Sequence, residues 1–516
     1  MSTGGPYVLG IDCGTQSLRA ALFDLSGNML ASDTHPYPIE YPGVSWAEQN
    51  PEQWWQAVRV TVPDVLRVAG VQPRDVAGVS IDGTACTVVA CERDGTLLRP
   101  AILWMDQRAH EEAERVTATG DPVLKYAGGP ESPEWMIPKA MWLKRHEPAT
   151  YERARVICEG TDWLMYRLTG RWTASLNAAT CKWNYASAEG GWPEQLLTTL
   201  DMGELRGKWP SDVLPMGETQ GEITLRAAEE IGLAPGTPVG QGGIDAYAAM
   251  LGLAVVRPGR MALVMGSSTC HMALCAQARF GSNVWGPFPD ALIEGTWVLE
   301  GGQTATGSIV KWFADNFACR EQLEAQKRGR SQFDVLDELA ARVPPGAEGL
   351  VLLDYWQGNR TPLRDPLARG AIWGLSLRHG VGHLMRAIYE GTAMGTRHIL
   401  EDLAATGYSA DGIYACGGGT RSDLWLQIHA DACQVPLYLT EQPEATALGT
   451  AVCGAVGAGL FDSMAEASEQ MVRVTREIEP DERSAPVYDR LFERYVATYP
   501  RLKDLMHEAA EDVRGQ

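Results

Sequence analysis

The chain has 516 residues, with 44 Lys plus Arg against 65 Asp plus Glu, a formal net charge of −21 and a pI near 4.9. That length calls for two or more domains. So acidic a balance excludes nucleic acid as the main partner, and an anionic membrane surface too, because both need a basic face. An anionic small ligand in a local pocket stays open.

In chain order, Tyr7–Asp12 is an apolar run ending in an acid and is predicted as a buried strand. Cys13–Ser17 is a tight turn, Leu18–Asp24 an alternating second strand, and Ser26–Asn28 a turn into a third strand, Met29–His35. An antiparallel meander here differs from the β-α-β opening of a dinucleotide fold. Pro51 opens a helix through Trp54 and Trp55. Val76–Asp82 is a further buried strand ending in Asp, and Tyr247–Gly252 a helix of small residues behind Gly242-Gly243. The same grammar then returns. Pro258–Met265 reads as a strand, Gly266–Cys270 as a small-residue turn, and His271–Cys275 as the return strand. Gly412–Cys416 runs into Gly417-Gly-Gly-Thr420 and then a helix, Ser422–Cys433; an amphipathic helix follows Pro480. Two halves each open strand–turn–strand, a repeated supersecondary unit. The boundary falls near Gly252–Pro258, giving domains 1–253 and 254–516 packed across a cleft.

The longest weakly polar run, Ala445–Phe461, is Ala/Gly-rich and shorter than the ~20 residues of a membrane span. Eleven cysteines are scattered from Cys13 to Cys453 with no C-x-x-C and no zinc-site spacing. The first residues carry no basic segment followed by a long apolar one. A reducing, cytoplasmic setting is expected.

Three turns carry chemistry. In Asp12-Cys-Gly-Thr-Gln-Ser17, glycine and small hydroxylic residues let backbone N–H groups approach phosphate oxygens, and Asp12 can hold a hydrated Mg²⁺. From this stretch alone a plain β-turn after a strand-end acid is the readier reading, since Gly-Thr turns are common. Gly266-Ser-Ser-Thr269 repeats the pattern, and two such hairpins from separate halves can grip one polyphosphate from both sides. Gly417-Gly-Gly-Thr420, between strand and helix, lets a nucleoside or phosphate lie against backbone; a purely structural turn is the alternative. There is neither a G-x-x-x-x-G-K-[ST] loop nor a G-x-G-x-x-G fingerprint with its ribose-binding acid. Asp245, behind a glycine pair at a helix start, is either a complement to the helix dipole or a general base for a substrate hydroxyl. His271, in a strand, reads as a core histidine.

Together these residues resemble the FGGY family of carbohydrate kinases, in the actin-like ATPase superfamily. The C-terminal signature is matched by Gly370–Leu375 and His383–Glu390. The N-terminal one, around Lys139–Leu143, is partial, with Met136 where a small residue or proline is usual and Ala140 where a large apolar one is. The resemblance implies an α/β fold of two actin-like (ribonuclease H-like) ATPase domains, with ATP and a sugar in the cleft between them. By that resemblance Asp12 is the Mg²⁺-linked carboxylate, through water. Gly14, Thr15 and Gln16 form the first phosphate hairpin, and Gly266, Ser267, Ser268 and Thr269 the second. Gly417, Gly418, Gly419 and Thr420, with Ser422 and Gln427, form the adenosine site, and Asp245 is the catalytic base.

Within the family, Ile81–Cys86, Leu103–Arg108, Glu134-Trp135, Cys181–Trp183, Gly266–Cys270 and Leu299–Gln303 resemble ribulokinases and related pentulose kinases. That implies Trp135, Lys182, Asp245 and Glu300 as sugar contacts, with Asp82 a further candidate. Lys182–Tyr185 and Val284–Pro287 lean toward a D-ribulose/ribitol branch, Glu134-Trp135 toward an L-ribulose branch. The expected activity is ATP-dependent phosphorylation of a pentulose, ribulose first, to its 5-phosphate. Xylulose, ribitol or another polyol are the alternatives. A reading of a different class is an actin- or chaperone-like ATPase, in which Trp135, Lys182 and Glu300 would serve no purpose. The expected partners are the sugar and ATP, with no nucleic acid and no membrane; a homodimer stays open.

Overall fold

The computed structural model describes residues 5–281 and 283–514. In the first half, β1 (Tyr7–Cys13), β2 (Ser17–Asp24) and β3 (Met29–Pro36) form the antiparallel meander that the alternation predicts. Gly27 turns β2 into β3 with φ +77°, a conformation glycine adopts without steric cost. α1 (Pro51–Ala69) starts on Asn50, whose side chain accepts the Glu52 N–H at 3.0 Å. It stops at Gly70, which is left-handed at φ +68°. β4 (Val76–Gly83) lies against the other side of β1, parallel to it. With β5 (Thr219–Glu222) and β6 (Pro238–Gly240) the sheet runs β5-β6-β4-β1-β2-β3. The β1–β4 register sets Asp12 beside Asp82. α2 (Leu176–Lys182) and α3 (Asp245–Gly252) follow in this half.

The second half repeats the plan. β7 (Arg260–Met265) pairs antiparallel with β8 (Thr269–Cys275), and Met265 opposite Thr269 closes a three-residue turn. Thr269 and Cys270 therefore belong to the strand, not to the predicted turn. With β9 (Trp285–Pro289), β10 (Trp297–Gln303), β11 (Gly412–Cys416), β12 (Leu437–Thr440) and β13 (Val474–Ile478), the order is β9-β10-β8-β7-β11-β12-β13, with β11 parallel to β7. Each half thus has a central strand, an antiparallel hairpin partner on one side and a parallel neighbour on the other. α4 (Gln332–Ala341), α5 (Val381–Ala404) and α6 (Asp423–Cys433) pack in this half, and the chain ends in α8 (Ala485–Arg514) after α7 (Ala445–Gly457).

α7 explains the Ala/Gly-rich run. It packs backbone-to-backbone on α3 and on the first sheet: a methyl group at Gly449 would overlap the Ala248 carbonyl, one at Gly252 the Ala445 carbonyl, and one at Gly10 the Ala447 carbonyl. Only glycine permits approaches that close. The two helices sit in a core shared by both halves, with Ala21 and Phe23 on one side and Ala262, Met272 and Leu274 on the other. Among the described residues, no helix is long and apolar enough to cross a membrane.

Candidate active site

The site forms where β1, β4 and the N-terminus of α3 converge. Asp12 and Asp82 end adjacent parallel strands, and Asp245 opens α3. Gly83 N–H donates to the Gly243 carbonyl at 3.1 Å, tying the α3 approach to the end of β4. Asn177 of α2 locks that approach further: its Oδ1 accepts the Ile244 N–H at 2.9 Å while its amide donates to the Ala291 carbonyl at 2.7 Å. Side chains at Gly242 and Gly243 would strike the Ile81 carbonyl and Met216, so the pair is needed for packing as well as for access.

Three carboxylates this close cannot all ionise freely. Burial raises Asp12, opposed by the Arg19 charge. Burial, then the Asp12 charge, holds Asp82 well above the carboxylate range. Asp245 is pushed up to about 7 by burial and by Asp12, against the Ala246 N–H that its Oδ1 accepts at 2.7 Å. A carboxylate near 7 is matched to general-base work at neutral pH.

Lys182, at the end of α2, reaches across to Glu300 of β10 at 3.4 Å, and its ammonium stands 5.7 Å from the Trp135 ring centre. Both charges act on Asp245, Glu300 raising its pKa and Lys182 lowering it. The structure therefore brings Trp135, Lys182, Glu300 and Asp245 together. Asp82 is placed differently: it is fully buried, it accepts from the Thr450 hydroxyl of α7, and its Oδ1 has no donor. It stands beside Asp12, not among the Lys182–Glu300 groups.

The first hairpin turns its carbonyls inward. Gly14 O accepts from the Tyr37 hydroxyl at 2.5 Å, Thr15 O from the Gln49 amide at 2.7 Å, and Gln16 O from the Tyr37 N–H at 3.0 Å. In a trans peptide the N–H opposes the C=O, so the amides of Thr15, Gln16 and Ser17 face the open side. The Thr15 hydroxyl accepts from the Trp104 indole at 3.1 Å. In the second hairpin the Ser267 carbonyl accepts from the Thr306 and Ser308 N–H groups, both at 3.0 Å, which directs the Ser268 amide away from them. The Thr269 hydroxyl is buried against Thr306 at 2.7 Å and does not face the cleft.

A cavity of about 380 Å³ opens between the second hairpin and the glycine turn, lined by Met265, Gly266, Ser267, Gly418, Gly419 and Ser422. Thr420 folds its hydroxyl back onto Gly417 O at 2.8 Å, and Ser422 caps α6 through the Trp425 N–H at 3.1 Å. Gln427, which the resemblance placed here, is outside the lining; its amide bonds Asp431 and the Glu479 carbonyl. The other wall is made by Phe333 and Asp337 of α4, by Val310, and by Tyr389 of α5, which lies inside the His383–Glu390 signature but to which the sequence assigns no site role. Tyr389 donates to Asp337 at 2.6 Å, and burial raises Asp337 against that bond and the Ser422 hydroxyl. His271 is buried, 3.0 Å from Thr396, as the core reading has it.

The α/β plan of two like halves, each with a glycine-containing hairpin, and a carboxylate cluster on the first of them is shared with solved two-domain sugar kinases, the class to which this fold points. The chain belongs to the FGGY family of carbohydrate kinases: the family's N-terminal domain matches residues 7–252 and its C-terminal domain residues 261–458. Among curated relatives, a ribulokinase of Anoxybacillus flavithermus is 33% identical over 99% of this chain and 96% of its own. The human FGGY carbohydrate kinase domain-containing protein is 32% identical, covering 97% of each chain. Among solved structures, xylulose kinase of Rhodospirillum rubrum superposes with a TM-score of 0.84 at 31% identity, over 97% of this chain and 100% of that one.

Proposed function

We propose that this chain transfers the γ-phosphoryl group of ATP to the terminal hydroxyl of a pentulose, ribulose first, giving the 5-phosphate, with Asp245 as general base. One observation carries the reading. The Asp245 carboxylate, at the start of α3 and raised to about 7, feels the charges of Asp12 and of the Lys182–Glu300 pair that adjoins Trp135, which supports it as the place where a sugar hydroxyl and a phosphate meet. In that reading Asp245 accepts the hydroxyl proton as the new O–P bond forms. Lys182, Glu300 and Trp135 orient the sugar, and the outward amides of the two hairpins hold the phosphates by position and charge alone. The cavity between Ser267 and Ser422 takes the nucleoside.

Asp12, with Asp82 beside it, offers the all-oxygen donors that Mg²⁺ prefers, and the unpartnered buried Oδ1 of Asp82 fits a cation nearby. Mg²⁺ held there would neutralise phosphate charge. The relatives named ribulokinase support ribulose, and the xylulose kinase of R. rubrum supports xylulose as the second substrate to test. A coupled ADP-release screen of the purified protein over D- and L-ketopentoses and pentitols tests the reading. Turnover on a ribulose isomer at least tenfold above xylulose and ribitol is expected. Absence of sugar-stimulated ADP release refutes it.

A further inference from the structure

Two ion pairs cross the cleft beside Asp245, and they have opposite polarity. Lys182 of the first half meets Glu300 of the second at 3.4 Å; Arg360 of the second half faces Glu134 of the first at 3.8 Å. Both separations exceed the ~2.7–2.9 Å of a closed charge-assisted hydrogen bond. The side chains of Arg360 and Glu134 keep 28% and 24% of their surface open.

Arg360 is nonetheless firmly placed. Its neighbour Thr361 exchanges two hydrogen bonds with Gly302 of β10, accepting from the N–H at 2.8 Å and donating to the carbonyl at 2.9 Å. Asn359 and Asp365 exchange both backbone bonds at 2.8 Å and close the loop around it. Gly302 leaves room for the arginine stem, and the guanidinium lies 5.4 Å from the Trp285 ring centre. Among the described residues, no side chain or carbonyl accepts a hydrogen bond from that guanidinium. The Cys270 thiol feels Glu300, Arg360, Asp245 and Lys182 together, so Arg360 belongs to the same cleft as the base. Opposite, Glu134 is held by the Gln107 amide at 3.0 Å and adjoins Trp135.

We propose that Arg360 and Glu134 form a second sugar-recognition couple, and that Arg360 determines specificity. The guanidinium donates to one sugar oxygen while Glu134 accepts from a hydroxyl, at a part of the sugar different from that held by Lys182 and Glu300. Each couple pairs one cation with one anion, so the two suit an uncharged polyhydroxylated substrate and no sugar acid. An open guanidinium has several N–H donors in a fixed fork, which reads oxygen position more strictly than an ammonium does. This inference rests on the sugar-kinase reading of the cleft; it adds Arg360, which no family motif quoted above contains, and gives Glu134, so far only part of the Glu134-Trp135 resemblance, a direct contact with the sugar.

The test measures kcat and KM for the preferred ketopentose and for ATP, in wild type, Arg360→Gln, Arg360→Lys, Glu134→Gln and the Arg360→Gln/Glu134→Gln double variant. A panel of monodeoxy pentuloses is run in parallel. Arg360→Gln is expected to raise the sugar KM about ten- to a hundredfold, as for loss of a charged hydrogen bond. The KM for ATP should stay within twofold, which also reports a folded enzyme. Arg360→Lys should recover part of the loss. The double variant should lose less than the product of the two single losses, because both groups act on one ligand. One deoxy sugar should be penalised by wild type and no longer penalised by Arg360→Gln. A sugar KM within threefold of wild type in Arg360→Gln overturns the proposal. So does an equal rise in both KM values, which marks a scaffold role at the domain junction. Failure of the wild type to phosphorylate any sugar overturns the underlying kinase reading instead, and this inference with it.

Discussion

Asp245→Asn is the sharpest perturbation of the proposed mechanism. The amide keeps the volume of the carboxylate and can still accept the Ala246 N–H now held at 2.7 Å, so α3 should start unchanged. What it loses is the capacity to take a proton. A positioned general base contributes about 10²–10⁴ in rate, or about 3–5 kcal/mol at 1.36 kcal/mol per decade. Stopped or coupled ADP assays should therefore show kcat reduced at least ~100-fold, while ATP affinity measured by calorimetry stays within about threefold. The pH profile supplies the second half of the test. With its pKa raised to about 7, Asp245 carries its proton below that pH and is then no base. Wild-type kcat/KM for the sugar should rise with pH and level off above 7, falling about tenfold per unit on the acid side. Glu300→Gln removes an influence that raises this pKa and should move the acid limb to lower pH; Lys182→Met should move it to higher pH. Retention of more than a tenth of wild-type turnover in Asp245→Asn would refute the reasoning, as would an acid limb that Glu300 and Lys182 substitutions leave in place.

Lys182→Met should raise the sugar KM about tenfold or more with the ATP KM little changed, since it leaves Glu300 half-buried without its cation. Asp337→Ala should raise the ATP KM several-fold and spare the sugar KM, because it opens the nucleoside wall and frees the Tyr389 hydroxyl. Gly449→Ala should lower urea stability by about 1–3 kcal/mol, since the methyl must displace the Ala248 carbonyl of α3. Glu131 is buried with only the Asn184 amide at 3.0 Å, and burial pushes its carboxyl up to about 8. Its folded pKa is raised from 4.5, so its stabilising contribution is full below pH 4.5 and lost as the pH climbs through 8. Urea titrations at pH 5 and pH 8 should find Glu131→Gln more stable than wild type by about 2–4 kcal/mol at pH 8, with the difference shrinking at pH 5.

The strand–turn–strand units were readable because each strand is a short apolar run punctuated by Gly, Ser, Thr or Asn, and the boundaries moved by only a residue or two. Asp12 beside Asp82 was not readable. Their adjacency comes from the parallel register of β1 and β4, 70 positions apart in the numbering, and a lone strand-end acid carries no mark of its neighbour. Lys182 and Glu300 came from the family resemblance and meet across |i−j| = 118. Phe333 and Asp337 escaped notice because both sit on an ordinary amphipathic helix, where a wall residue and a core residue share one spacing, while Tyr389 lies in the His383–Glu390 signature, whose match carries no role for it. Arg360 escaped for a different reason. Its place is set by Thr361 gripping a strand that ends some 60 residues earlier, a contact that no local pattern encodes.

The charge balance takes on meaning at the site. Under the proposed function, a chain of net −21 receives a polyanion next to three of its own carboxylates. In that reading no lysine-rich surface is needed: the hairpin carbonyls are tied inward, so the N–H dipoles of the same peptides point the opposite way and are left for the phosphates. Those dipoles cost little reorganisation when a phosphate arrives. Burial first, and the Asp12 charge after it, lift Asp245 toward neutrality. Loss of the Asp12 charge should lower the Asp245 pKa and so weaken the base, and it also removes a proposed Mg²⁺ ligand. The Lys182–Glu300 pair, though neutral in itself, belongs to the same cluster, because its two charges pull the Asp245 pKa in opposite directions.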